Sequence, residues 1–163
     1  MTIRAAVITV SDRGSRGERE DLSGPEIVRL LETIDARVVY SAVIPDEEDV
    51  IAGEIAACAD ERGCDLILTT GGTGVSPRDV TPDATLKVLD RTIPGMAEAM
   101  RREGASKTPH AMLSRAVVGM RKDSLIANLP GSPRGVRENL TVLLPALAHA
   151  IEKIQGDPSD CAR

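Results

Sequence analysis

A chain of 163 residues, 42% hydrophobic and 28% charged, has the size and composition of one soluble globular domain that can fold unaided. With no Trp, no Phe and Tyr40 alone, its core must be aliphatic, and a net charge of −5 without stacking aromatics gives no basis for a nucleic-acid partner beyond small basic clusters at Arg101-Arg102 and Arg121-Lys122. Cys58, Cys64 and Cys161 lack C-x-x-C spacing and follow no secretory signal, so they read as reduced thiols in a cytoplasmic protein, Cys58 in the core and the other two as bystanders.

The first apolar run, Ala5 to Val10, has strand length and is too short for a signal peptide or a membrane span, so no membrane partner is expected. Ser11 to Asp21 is polar and reads as a loop. Ser23 and Glu26 form a capping box ahead of Ile27, Leu30, Leu31 and Ile34 at helical spacing. Arg37 to Ile44 is a second strand, and Asp46 is placed to cap a helix carrying Val50, Ile51, Ile55 and Cys58. Asp65 to Thr70 is a third strand, and Thr81-Pro82 opens a short helix through Leu89. Met96 to Glu103 reads as an amphipathic helix and Ala111 to Val118 as another helical segment. Ser124 to Leu129 is a last core strand. Ser132 caps a final helix with Pro133 at its first position, running to about Ile154, with Pro145 expected to kink or divide it. Short apolar strands alternating with helices give a single three-layer α/β domain over residues 1–155, a mostly parallel sheet with helices on both faces, followed by a loose polar tail, 156–163. No internal repeat, linker, or cysteine or histidine cluster with zinc or iron spacing is present.

Between the third strand and the next helix lies the most informative segment, Thr69-Thr70-Gly71-Gly72-Thr73-Gly74-Val75-Ser76-Pro77-Arg78-Asp79-Val80-Thr81-Pro82-Asp83. An apolar strand feeding a glycine-rich turn is how α/β proteins offer backbone N–H groups to a phosphate. It is neither a P-loop, since no Gly-Lys-Ser/Thr follows, nor a dinucleotide fingerprint. By pattern alone it is a phosphate site or a purely structural turn. Four polar or glycine-rich segments follow strands, from Ser11, Pro45-Asp46, Gly71 and Pro130, and the fold class predicts their convergence at one sheet edge.

Val10-Ser11-Asp12-Arg13, Ile44-Pro45-Asp46-Glu47, Thr69 to Thr85, Pro94-Gly95-Met96, Leu113-Ser114-Arg115 and Leu129-Pro130-Gly131-Ser132-Pro133 together resemble the molybdopterin-binding MogA/MoaB family, which includes the G domain of gephyrin. The resemblance runs from about Ile3 to Ile154, and the chain length favours the stand-alone members over longer proteins that carry similar blocks. It implies the molybdopterin-binding fold. It also implies Mg²⁺-dependent transfer of AMP from the co-substrate ATP to molybdopterin with release of pyrophosphate, a homotrimer, and a molybdenum-insertion enzyme as downstream partner. The alternative within the family is a MoaB-like carrier that binds molybdopterin without adenylylating it.

Carried over residue by residue, the resemblance makes Asp46 and Asp79 the catalytic and metal-holding carboxylates. It makes Ser11, Asp12, Thr70, Gly71, Gly72, Thr73, Gly74, Asp83, Pro94, Gly95, Ser114, Arg115, Pro130, Gly131 and Ser132 substrate contacts. Asp83 can equally be a first-turn acid stabilising its helix, Arg78 a phosphate ligand or a surface charge, and Ser114-Arg115 a cap and a solvated charge. Two carboxylates are what Mg²⁺ wants beside phosphate oxygens and water. A carrier has no need of both.

Overall fold

A computed structural model describes residues 1–161. In chain order the elements are β1 (Ile3–Val10), α1 (Asp12–Ser15), α2 (Ser23–Leu31), β2 (Ala36–Ile44), α3 (Glu48–Asp60), β3 (Leu66–Thr70), α4 (Thr81–Val88), β4 (Arg91–Thr92), α5 (Pro94–Ala105), a 3-10 helix (Pro109–Leu113), β5 (Val118–Arg121), β6 (Ser124–Leu129) and α6 (Pro133–Ile154). They build one six-stranded sheet ordered β2-β1-β3-β6-β5-β4. β1, β2, β3 and β6 are mutually parallel, while β5 and β4 run antiparallel at one edge. Among the described residues no helix is long and apolar enough to cross a membrane.

Strand residues alternate between two apolar layers, as their two-residue period requires. Ala5, Val7, Leu66, Leu68, Leu125 and Ala127 face α2, α5 and α6. Ala6, Ile8, Ile67 and Ile126 face Ile51, Ile55 and Cys58 of α3 and Ala84 of α4. The core is aliphatic, as composition demanded. Cys64 is buried like Cys58 rather than peripheral, and Cys161 is exposed.

Several local expectations are corrected. Residues 111–118 are not a helix: the 3-10 turn ends at Leu113, and Val118 starts β5, paired with β6 from Val118–Ala127 to Arg121–Ser124. Pairing with β6 outweighs local propensity here. The loop after β1 contains α1, capped by Ser11, whose Oγ accepts the Gly14 N–H at 2.9 Å. Ser23 does not cap α2 but is its first residue, its hydroxyl donating to the Gly131 carbonyl at 2.5 Å. The capping acceptor is Asp21, which takes the Gly24 N–H at 2.9 Å. The N-cap of α3 is Glu47, one residue beyond Asp46. Pro145 does not divide α6, because Leu140 and Leu143 before it and Leu147 and Ile151 after it all seat in one core. Beyond α6, the Lys153 ammonium donates to the Asp157 carbonyl at 3.2 Å and to Ser159 Oγ at 3.1 Å, so the start of the tail folds back on the helix. The last two tail residues, 162 and 163, lie outside the described range.

One buried polar residue ties the layers together beneath the site. Asn128 of β6 has no solvent exposure. Its Nδ2 donates to Thr69 Oγ1 and Thr85 Oγ1, both at 3.0 Å, and its Oδ1 accepts the Val117 N–H at 3.2 Å. Thr85 in turn donates to the Thr81 carbonyl at 2.7 Å. Replacing Asn128 with Leu strips the buried Thr69 hydroxyl and the half-buried Val117 N–H of their partner and leaves Thr85 only its bond to the Thr81 carbonyl, a loss of about 3 kcal/mol. The prediction is a fall in Tm of roughly 6–12 °C by calorimetry for a chain of this length; a change under about 2 °C would show that the network is dispensable.

Candidate active site

Strand order reverses at β1, with β2 on one side and β3 on the other. Ligands of open parallel sheets bind beyond the carboxyl ends of the strands at such a point. A cavity of about 530 Å³ lies there, lined by Ser11 after β1, Asp46 after β2, Thr70, Gly71, Gly72 and Asp79 after β3, and Gly131 and Ser132 after β6. All four strand-end segments therefore meet, as the fold class required. A second cavity of about 470 Å³ shares Ser132 with the first and is lined by Thr73, Gly74, Ser114 and Pro130, with Arg101, Lys107 and Arg134 around it.

The glycine turn divides the two. Gly71 (φ 99°) and Gly72 (φ 67°) occupy the left-handed region. A Cβ on Gly71 would press on the Val10 carbonyl oxygen, and one on Gly72 would collide with the Thr81 hydroxyl and stand 3.1 Å from Asp46 Oδ1. Substituting Gly72 therefore strains the fold with or without ligand, and such a variant does not distinguish a phosphate cradle from a structural turn. Thr81 closes the loop, its hydroxyl donating to the Gly71 carbonyl at 2.9 Å and its N–H to the Gly72 carbonyl at 3.1 Å. Among the described residues, no intramolecular acceptor meets the N–H groups of Gly72, Thr73 or Gly74. Thr70 donates to the Pro130 carbonyl at 2.6 Å, joining the β3 and β6 ends.

Asp12 and Asp46 exchange backbone-to-carboxylate hydrogen bonds: the Asp12 N–H donates to Asp46 Oδ2 at 2.8 Å, and the Asp46 N–H to Asp12 Oδ1 at 3.0 Å. Arg78 grips Asp12 with Nε at 3.1 Å and Nη2 at 3.0 Å, and reaches Glu47 at 2.7 Å. Its hydrogen bond holds the Asp12 carboxyl below its ordinary pKa. Arg78 thus tethers the segments that follow β1, β2 and β3 to one another. Asp46 is shifted the opposite way. Burial raises its pKa first, and the neighbouring carboxylates of Asp12 and Asp79 add to that against the Asp12 N–H and Arg78.

Asp79 binds the Ser76 N–H through Oδ2 at 3.0 Å. Asp46 and Asp79 therefore each spend one carboxylate oxygen on a backbone N–H and keep the other free of protein donors among the described residues. No cluster of three or more metal-capable side chains occurs among the described residues, so a metal here would have at most two carboxylate ligands, Asp46 and Asp79. That set, two hard oxygens beside phosphates, suits Mg²⁺.

The remaining expected contacts are placed differently. Asp12 is engaged with the Asp46 backbone N–H and with Arg78. Asp83 and Arg115 pair with each other, at 3.1 and 3.2 Å, which holds the Asp83 carboxyl below its ordinary pKa. Pro94 and Gly95 open α5. None of these five lines either cavity. Conversely, Asp21 lines the first cavity and was not anticipated; an Asp three residues before Gly24 in a loop ending at a helix was the available signal. Of the cations around the second cavity, only Arg101 belonged to a recognised basic cluster. Lys107 and Arg134 come from segments without a motif.

A carboxyl with a raised folded-state pKa contributes stability below its ordinary pKa, and loses it as pH rises through the raised value. Ionised Asp46 is thus a cost to the ligand-free fold at neutral pH, and Asn at this position still accepts the Asp12 N–H. Asp46→Asn is expected to raise the ligand-free Tm by about 1–3 °C at pH 7.5. The gain should vanish at or below about pH 4. A lowered Tm at pH 7.5 in thermal melts would contradict the electrostatic reading of this residue.

Known proteins share this architecture. A family profile described as a probable molybdopterin binding domain matches residues 6–149. The molybdopterin adenylyltransferase of Helicobacter pylori is 42% identical over 158 residues, covering 96% of this chain and 90% of that protein. The molybdopterin adenylyltransferase of Escherichia coli is 43% identical over 141 residues, covering 85% of this chain and 72% of that protein. Among solved structures, the molybdopterin biosynthesis enzyme MoaB of Thermus thermophilus matches with a TM-score of 0.90 at 48% identity, over 97% of this chain and 99% of that one. The chain belongs to the molybdopterin adenylyltransferase family, the MogA/MoaB group of molybdopterin-binding domains.

Proposed function

We propose that this chain transfers AMP from ATP to the terminal phosphate of molybdopterin and releases pyrophosphate. The observation that carries the reading is the placement of Asp46 and Asp79, from two different strand ends, on the cavity that Gly71 and Gly72 help to line. Both cavities fall within the usual size of small-molecule sites, roughly 300–1,000 Å³. We assign the first to the nucleotide and the second, lined by Arg101, Lys107 and Arg134 together with Glu138, to the pterin. The glycine turn stands between them, where the two phosphates must meet.

In that arrangement a pterin phosphate oxygen attacks the α-phosphorus of ATP, a new P–O bond forms, and the bond to the β-phosphate breaks with pyrophosphate leaving. The attacking oxygen is already anionic, so no side chain has to remove a proton. Negative charge grows on the α-phosphoryl oxygens, and the N–H groups of Gly72, Thr73 and Gly74 are fixed donors suited to receive it. Asp46 and Asp79 would hold a divalent cation, which when bound supplies charge neutralisation at the phosphates. Arg78, committed to Asp12 and Glu47, fixes the backbone around Asp46 and leaves the carboxylates to the cation.

Asp79→Asn keeps shape and removes one charge. Turnover, read as AMP attached to the pterin at saturating ATP and Mg²⁺, is expected to fall about 10²-fold or more, near 2.7 kcal/mol. Molybdopterin affinity should stay within about threefold, because the carboxylate acts on transition-state charge. Asp46→Asn should behave alike, and the double variant should fall well short of additive if both hold one ion. A wild-type rate in Asp79→Asn removes this residue from the mechanism. A wild type that binds molybdopterin but never adenylylates it would instead establish the carrier function.

A further inference from the structure

We infer that Arg115 acts as a positioning residue for Asp79, clamping both ends of the loop that carries it, rather than as a ligand of a substrate phosphate. This rests on the adenylyl-transfer reading for its catalytic consequence, though not for the clamp itself. The guanidinium Nε donates to the Gly74 carbonyl at 2.8 Å and Nη2 to the Asp79 carbonyl at 2.5 Å. Nη2 and Nη1 also take the two Asp83 oxygens, at 3.1 and 3.2 Å. A guanidinium has five N–H donors, so one is left for anything else. The Arg115 backbone N–H adds a bond to the Thr73 carbonyl at 2.8 Å. Neither cavity is lined by Arg115, although its neighbour Ser114 lines the second.

These contacts bracket one short segment. Gly74 and Asp79 are the two ends of a loop whose interior bond runs from the Ser76 N–H to Asp79 Oδ2. Thr81 closes the loop on the glycine side, and Arg78 ties its outer face to Asp12 and Glu47. Among the described residues only Arg115 joins the Gly74 and Asp79 carbonyls directly, and Asp83, at the start of α4, holds the guanidinium in the plane that reaches both. As an exposed ion pair, Arg115–Asp83 contributes little by itself. Its consequence is geometric: misplacing a reacting group by about 1 Å can cost about 10²-fold in rate. A lysine cannot reproduce a planar fork aimed at two carbonyls and a carboxylate.

The test compares Arg115→Met, Arg115→Lys, Asp83→Asn and the Arg115→Met/Asp83→Asn double variant, each checked by thermal melt, in two assays. The first is amide hydrogen exchange without substrates at the hydrogen-bonded amides of the loop, Ser76, Asp79 and Thr81. Arg115→Met and Asp83→Asn should speed exchange there by about tenfold or more while the β3 amides stay protected. The second is steady-state adenylylation. Arg115→Met should lose about 10²-fold in kcat with KM for molybdopterin within about threefold. Asp83→Asn should show a smaller loss with the same split, Arg115→Lys should recover part of the kcat, and the double variant should be no worse than Arg115→Met. Unchanged exchange at Ser76, Asp79 and Thr81 overturns the clamp. A KM rise of tenfold or more with kcat intact in Arg115→Met, or a lower KM in Asp83→Asn, overturns it in favour of a phosphate ligand. A wild type without turnover would defeat the adenylyl-transfer reading alone, and the exchange assay would still decide the clamp.

Discussion

The closure of the β3–α4 loop by Thr81 is the constraint on which the site depends. A buried strand delivers the chain at Thr70 directly into two left-handed glycines, and ten residues later the same hydroxyl that a Gly72 side chain would displace bonds back to the Gly71 carbonyl. That contact closes the turn at the start of α4, and within it the N–H groups of residues 72–74 meet no intramolecular acceptor among the described residues. It also makes the register of the loop non-negotiable, because Asp79 lies two residues before the closing threonine. The aliphatic packing on both faces of β3 supplies the rigidity beneath it, and the Asn128 network extends that rigidity to the Thr81 carbonyl through Thr85. Preorganisation of this kind is what lets backbone donors act on developing charge without reorganising.

Around the loop the electrostatics are arranged by diversion. Two arginines stand close to the carboxylates, yet each is spent on structure: Arg78 on Asp12 and Glu47, Arg115 on Asp83 and two carbonyls. Neither donates a hydrogen bond to the carboxylate of Asp46 or Asp79, and those two residues line the first cavity together with Arg19. Burial first, and then the like charges of Asp12 and Asp79, raise the pKa of Asp46 and tax the ligand-free fold. Carboxylates repel a polyphosphate, so the reaction proposed for this cavity calls for a cation at Asp46 and Asp79.

Much of this was legible in the sequence. The three parallel core strands, β1, β3 and β6, are short apolar runs with sharp polar ends, and the Ser132-Pro133 start of α6 carries its own local chemistry. The meeting of Ser11, Asp46, Gly72 and Gly131 follows from the parallel α/β fold class, which puts the segments after the strands at one sheet edge. What failed was whatever depended on distant partners. Residues 118–121 became a strand because β6 offered an edge, and Ser23 gave up its capping role because the Gly131 carbonyl lay within reach of its hydroxyl. Roles that hinge on which donor finds which acceptor, as for Arg78, Arg115 and Asp83, are not written in spacing. Resemblance identified Arg115 and Asp83 as belonging to the site, and geometry then placed them around the loop, outside both cavities.

The central claim, that Asp46 and Asp79 together hold one divalent ion in the presence of nucleotide, is most directly tested by titrating Mn²⁺ into the protein with a non-hydrolysable ATP analogue and following bound ion by electron paramagnetic resonance. The account predicts one tightly bound Mn²⁺ per chain in the wild type and at least a roughly tenfold weaker affinity in the Asp46→Asn/Asp79→Asn double variant, whose fold stays intact. Equal Mn²⁺ affinity in the two proteins would contradict it.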